Sequence, residues 1–217
     1  MYRIHYRFGV VLGLILASLA FGLAAPEGDG ARFVGVSLQA ATLVAAVVAS
    51  RAHRWIIRLS VLAAALGIVG TAAALIGTNQ FGADSAALVA LLYVLLTPPA
   101  IVAGVVKHFR EEGGVTLQTM FGVLCLYLLV GLLFGVSFVA VQELSGDSFF
   151  TTGGGGRDDF LYFSYATLTT VGYGDLIAAT DLGRSLAIIE ALVGQIYLVT
   201  VVALIVANLR PQTRRGA

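Results

Sequence analysis

The chain has 217 residues, 59% of them hydrophobic and 12% charged, with a mean hydropathy of +0.93 and a formal net charge of +1. A soluble domain carries about 25% charged residues, so this composition points to a membrane protein, and the near-neutral charge argues against a nucleic-acid partner. The single Cys125 leaves no internal disulfide to form.

A helix needs about 20 apolar residues to cross the roughly 30 Å hydrocarbon core. Six stretches qualify in chain order: 8–25, 33–50, 55–77, 85–106, 117–141 and 183–209. The first has a rival reading as a cleavable signal peptide. Its apolar run of about 18 residues exceeds the usual 7 to 15 of such signals, which favours a retained helix. Pro98 and Pro99 interrupt the fourth span and predict a kink. "KHFREEGG" (107–114) should then break the chain before Thr116, a residue suited to cap the fifth span. Glycines four residues apart, Gly9/Gly13 and Gly131/Gly135, suit close helix approach. For Gly9/Gly13, ordinary glycine use in membrane helices explains them as well.

The basic residues orient the spans. With six crossings, Arg3, Arg7, Arg51, Arg54, Arg58, Lys107, Arg110, Arg210, Arg214 and Arg215 fall on one side; only Arg32, Arg157 and Arg184 fall on the other. The expectation is a multi-pass protein of the cell membrane with both termini cytoplasmic, surrounded by lipid. The segment 142–182 then lies outside, and 211–217 forms a short cytoplasmic tail with no room for a ligand-binding domain.

That outer segment holds an unusual stretch. "TTGGGG" (151–156) reads as a flexible loop without chemistry. Asp158 and Asp159 suit a helix N-terminus. From Asp159 to Thr169 a helix would run about 16 Å, half a membrane, and the chain must then return as irregular backbone. At that depth such backbone is tolerated only beside a water-filled path or within protein. The returning residues are "TVGYG" (170–174). Glycine permits left-handed backbone, and alternating left-handed with ordinary conformations turns successive carbonyls the same way, as a site for a dehydrated cation requires.

Thr169, Thr170, Val171, Gly172, Tyr173, Gly174 and Asp175 resemble the potassium-channel filter signature. The resemblance covers about 117–209, where outer helix, re-entrant helix, filter and inner helix follow in the family's order; the whole chain resembles the small prokaryotic six-transmembrane type. It implies an all-α membrane protein: residues 1–116 form a four-helix N-terminal region, 117–210 the pore domain, and four copies assemble as a homotetramer. It implies K⁺ coordination by the carbonyls of Thr170, Val171, Gly172 and Tyr173 with the Thr170 hydroxyl, Gly174 shaping the filter backbone, and Asp175 at the outer mouth. Potassium is the permeant ion and no cofactor is implied.

Two departures stand out. Some family members carry a glutamate at the position matching Ala166, and a tryptophan pair where this chain has Tyr162 and Phe163. Tyr162 is therefore expected to donate to Asp175. Glu190, an intramembrane acid and so a functional candidate, is expected behind the filter, protonated or bonded to Thr167 or Thr169. Gly194 matches the family's gating-hinge glycine, while a close-packing role explains it equally.

Residues 85–106 carry no charge, which excludes an arginine-bearing voltage sensor in the fourth span. Lipid, tension, pH or the filter itself remain as gating stimuli. The alternatives to a potassium-selective channel are a weakly selective cation channel, against which the intact TVGYG argues, and a membrane enzyme. For the latter, His5, His53, His108, Cys125 and Glu190 show neither metal-ligand spacing nor a nucleophile–base pairing.

Overall fold

The structure is a computed structural model describing residues 7–24, 28–75, 83–112, 116–146 and 148–208. Arg3, His5, Gly77, Asp147, Leu209, Arg210, Arg214, Arg215 and the tail lie outside the described residues. Seven helices follow in order: α1 (Arg7–Ala24), α2 (Asp29–Ala49), α3 (Arg54–Leu75), α4 (Ala83–Glu112), α5 (Leu117–Ser145), α6 (Arg157–Leu168) and α7 (Asp181–Asn208). Six occupy the six apolar stretches, and α6 is the short helix expected after Asp158 and Asp159. Among the described residues, three stretches can cross a membrane by length and composition: Arg54–Ala73, Leu117–Ser145 and Asp181–Ala207; α1, α2 and α4 hold the shorter apolar segments Phe8–Ala24, Phe33–Ala49 and Leu92–His108.

The fourth helix corrects one expectation. It runs unbroken through Pro98 and Pro99 and on through Lys107–Glu112. Each proline removes one backbone donor, but the long helix on either side maintains the ladder, and Thr97 Oγ1 bonds back to the Tyr93 carbonyl at 2.6 Å. Lysine, arginine and glutamate are good helix formers, so "KHFREE" extends the helix instead of ending it. The described helix extends to Glu112. Thr116 then caps α5 as expected. Its hydroxyl accepts from the Thr119 amide at 3.3 Å, the Thr119 hydroxyl faces the Thr116 amide at 3.4 Å, and His108 Nε2 pairs with Thr116 Oγ1 at 3.0 Å. At the far end Gly146 closes α5 in a left-handed conformation (φ 70°), its amide bonded to the Gln142 carbonyl.

Three buried clusters organise the helices. In one, α1 contributes Phe8, Val11 and Ile15 against Ala46 of α2, Ile101 of α4, and Cys125 and Leu129 of α5. The first helix thus packs into the core through Phe8, Val11 and Ile15. In the second, Val36, Ala40, Leu43 and Val47 of α2 meet Ala64 of α3 and Tyr93 of α4; the Tyr93 hydroxyl is satisfied by the Ala63 carbonyl at 2.8 Å. The third lies beside α6 and is aromatic: Phe138, Phe149, Phe150, Phe160 and Phe163, joined by Ala178. Burial of this apolar area supplies roughly 25 cal/mol per Å² where water is displaced. α5 connects the parts, packing on α1 and α4 on one side and on α6 and α7 on the other.

Candidate functional site

The site is built on α6. Its N-terminus is held by Asp159, whose Oδ2 accepts the Gly155 and Gly156 amides at 2.9 and 3.1 Å, while Asp158 and Asp159 sit where the helix dipole favours negative charge. The glycine loop before it is exposed and is bonded at its two ends, through Thr151 and through Gly155 and Gly156. Thr151 N–H donates to the Ile177 carbonyl at 2.9 Å, Ala179 N–H donates to Phe149 at 2.8 Å, and Phe150 pairs with Ala178 in an antiparallel bridge. The chain before α6 is thereby joined to the chain that follows 169–175.

The α5 glycines receive α6 at matching four-residue spacing. A Cβ on Gly131 would meet the Tyr165 ring at 2.7 Å, and one on Gly135 would meet Leu161 Cδ2 at 3.0 Å. Absence of side chains at these two positions lets α6 lie against α5. No Cβ contact arises at Gly13, in keeping with ordinary glycine use there. The Tyr165 hydroxyl then donates to the Leu128 carbonyl at 2.6 Å, Tyr127 of α5 donates to the Leu168 carbonyl at 3.3 Å, and Tyr197 of α7 donates to Val123 at 2.6 Å. Three phenols thus tie side chains to backbone across α5, α6 and α7.

Past Leu168 the helix stops and the backbone alternates. Thr170, Gly172 and Gly174 have φ of 58°, 54° and 79°; Val171 and Tyr173 between them do not have positive φ. The amides of Val171 and Gly172 both donate to the Ala166 carbonyl, at 2.9 and 3.1 Å, and the Thr170 amide donates to Thr167 at 2.9 Å. A planar trans peptide points its C=O opposite its N–H, and all peptide bonds are trans. The carbonyls of Thr169, Thr170 and Val171 therefore turn away from α6, in the same sense. Thr170 pays the left-handed cost of roughly 1–2 kcal/mol for a non-glycine residue; such strained residues concentrate at functional sites. Val171 and Tyr173 are 51% and 71% exposed in the single chain, so the stretch lies on an open face.

Asp175 follows directly. The Tyr162 hydroxyl donates to Asp175 Oδ2 at 2.8 Å, the bond expected between them, and the Tyr162 and Tyr173 rings stack with centroids 6.2 Å apart. That hydroxyl holds the Asp175 carboxyl below its ordinary range. The neighbouring Phe163 makes no polar contact; it packs edge-on to Phe138 at 5.2 Å in the aromatic cluster.

On α7, Glu190 is fully buried and lies behind α6. Its Oε1 bonds to Ser164 Oγ, and not to Thr167 or Thr169 as expected from the sequence. The Thr169 hydroxyl is turned instead to the Tyr165 carbonyl at 2.6 Å, because a threonine at a helix C-terminus finds its i−4 carbonyl closer than a neighbouring helix. Ser164 was not foreseen: nothing in an isolated serine 26 positions before Glu190 connects the two. Gly194 is a close-approach position. A Cβ there would lie 2.5 Å from the Leu168 carbonyl oxygen and 2.8 Å from Leu168 Cδ1, so α7 touches the last residue of α6 through backbone.

Residues 122–210 match the ion channel family model. No curated protein and no solved structure matches the chain.

Proposed function

We propose that the protein is a potassium-selective channel that conducts K⁺ passively across the cell membrane as a homotetramer, with 170–174 of each copy lining the axis. The observation that carries this reading is the alternating backbone of Thr170, Gly172 and Gly174, with successive amides drawn back to Ala166 and carbonyls left facing the open side. Oxygens so aligned replace the water shell of a dehydrated cation. The Thr170 hydroxyl and the carbonyls of Thr170, Val171, Gly172 and Tyr173 take that role. Four Asp175 carboxylates at the outer mouth raise the local cation concentration.

One chain supplies a single strand of such a site, and the unpaired surface fits its completion by other copies. Val171 and Tyr173 are exposed, and so is an apolar α7 face that includes Ile188, Ile196, Val199 and Val202. In this reading all six long helices cross the membrane, both termini are cytoplasmic, and residues 1–116 form a jacket that lacks the arginines of a voltage sensor. The match over 122–210 supports ion conduction; selectivity rests on the filter residues. Reversal potentials in bilayers with K⁺ on one side and Na⁺ on the other test the proposal. The expected result is strong preference for K⁺, and a permeability ratio near one favours the weakly selective alternative and overturns it.

A further inference from the structure

Ser164 has one hydroxyl proton and two close acceptors. Its Oγ lies 2.7 Å from the Gly131 carbonyl of α5 and also in hydrogen-bonding contact with Glu190 Oε1 of α7. A carbonyl oxygen brings no proton, and neither does a carboxylate. With only the serine proton available, one of the two contacts would press lone pair against lone pair. Both are hydrogen bonds only when Glu190 supplies a second proton. The geometry points to Glu190 as a neutral carboxylic acid that donates to Ser164 Oγ, while Ser164 donates onward to Gly131, so that the three helices α5, α6 and α7 are joined by a two-bond relay.

The surroundings agree. Glu190 is fully buried, Ser164 is fully buried, and Glu190 Oε2 has no hydrogen-bond partner among the described residues. A charged carboxylate with one bare oxygen costs several kcal/mol to bury, whereas the carbonyl oxygen of a neutral acid left unpaired costs far less. The titratable groups facing it are the phenols Tyr127 from α5 and Tyr165 from α6, and both donate to backbone carbonyls. Arg184, on Glu190's own helix, is turned to the Ala178 carbonyl at 3.0 Å. Among the described residues no cation compensates Glu190. Its role is positioning: it holds the middle of α6, and the C-terminal end of that helix carries the irregular stretch 169–175.

Infrared spectra of the purified full chain in lipid at neutral pH, wild type minus Glu190→Gln, test this directly. The expected difference is loss of a protonated-carboxyl C=O band; loss of carboxylate bands instead overturns the assignment. Neither the spectra nor unfolding requires ion conduction, so a non-conducting protein leaves the test intact. In unfolding, Glu190→Gln should stay close to wild type, because its amide N–H replaces the donor. Ser164→Ala and Glu190→Ala should lower the folded-to-unfolded ratio roughly tenfold or more. Glu190→Gln as damaging as Glu190→Ala contradicts the donor role. Should Glu190→Gln not accumulate, Ser164→Ala is read against wild type: the acid loses its acceptor and its C=O band shifts, and an unshifted band refutes the relay.

Discussion

Gly194→Ala is the sharpest test of how the helices hold the filter region. The added methyl would sit 2.5 Å from the Leu168 carbonyl oxygen and 2.8 Å from Leu168 Cδ1, against an ordinary contact of 3.4 Å or more. The first obstacle is backbone and cannot rotate aside, so α7 must retreat from α6 by roughly 1 Å. Overpacking of this kind costs about 1–3 kcal/mol. Alanine's better helix propensity returns about 0.8–1.0 kcal/mol, leaving a net change between about zero and a loss of about 2 kcal/mol on those two figures. Gly70→Ala in α3 is the control, since no atom lies within 4 Å of its Cβ; it should stabilise by up to about 1 kcal/mol. Denaturant unfolding in lipid or detergent measures both. Leu168 is the last residue of α6, so the same variant should also weaken ion selectivity by displacing the start of the filter stretch. A Gly194→Ala protein stabilised as much as Gly70→Ala refutes the close-packing argument and leaves the flexible-joint role standing.

Gly172→Ala places a side chain at φ 54°, a cost of about 1–2 kcal/mol that flips a filter carbonyl; the expected loss of selective conduction is read from reversal potentials, and an unchanged ratio refutes it. Tyr162→Phe removes the donor that lowers the Asp175 carboxyl. A lowered folded-state value gives stability that is present above the ordinary carboxylate range and lost as pH falls through the lowered value. The acid edge of the unfolding midpoint should therefore move to higher pH in the variant, and coincident edges contradict this. Thr116→Ala removes the α5 cap and the His108 contact and should cost about 0.5–2 kcal/mol in unfolding, with Thr116→Ser close to wild type. Conductance against voltage in symmetric potassium should be shallow, equivalent to about one or two charges, and a gating charge near a dozen would refute the jacket role of α1–α4.

The long helices were legible from the chain because a membrane-length apolar run has one economical backbone solution, every N–H paired within its own helix. Thr116 and Asp159 mark helix starts through local bonds, and such signals survive without tertiary context. The irregular backbone at 170–174 was legible in part, since Gly172 and Gly174 permit the left-handed conformations found there, while the positive φ of Thr170 has no such local cause. "KHFREE" misled because a break depends on what the neighbouring turns can still bond, which residue type alone does not decide. Only the packed helices determine that Glu190 meets Ser164 and not a threonine, that Gly194 lies on the Leu168 carbonyl, and that Ala166 gathers two filter amides. Those contacts depend on how α5, α6 and α7 rotate against each other, and helix rotation is set by surfaces separated by tens of residues. A sequence records each surface but not the angle at which two of them meet.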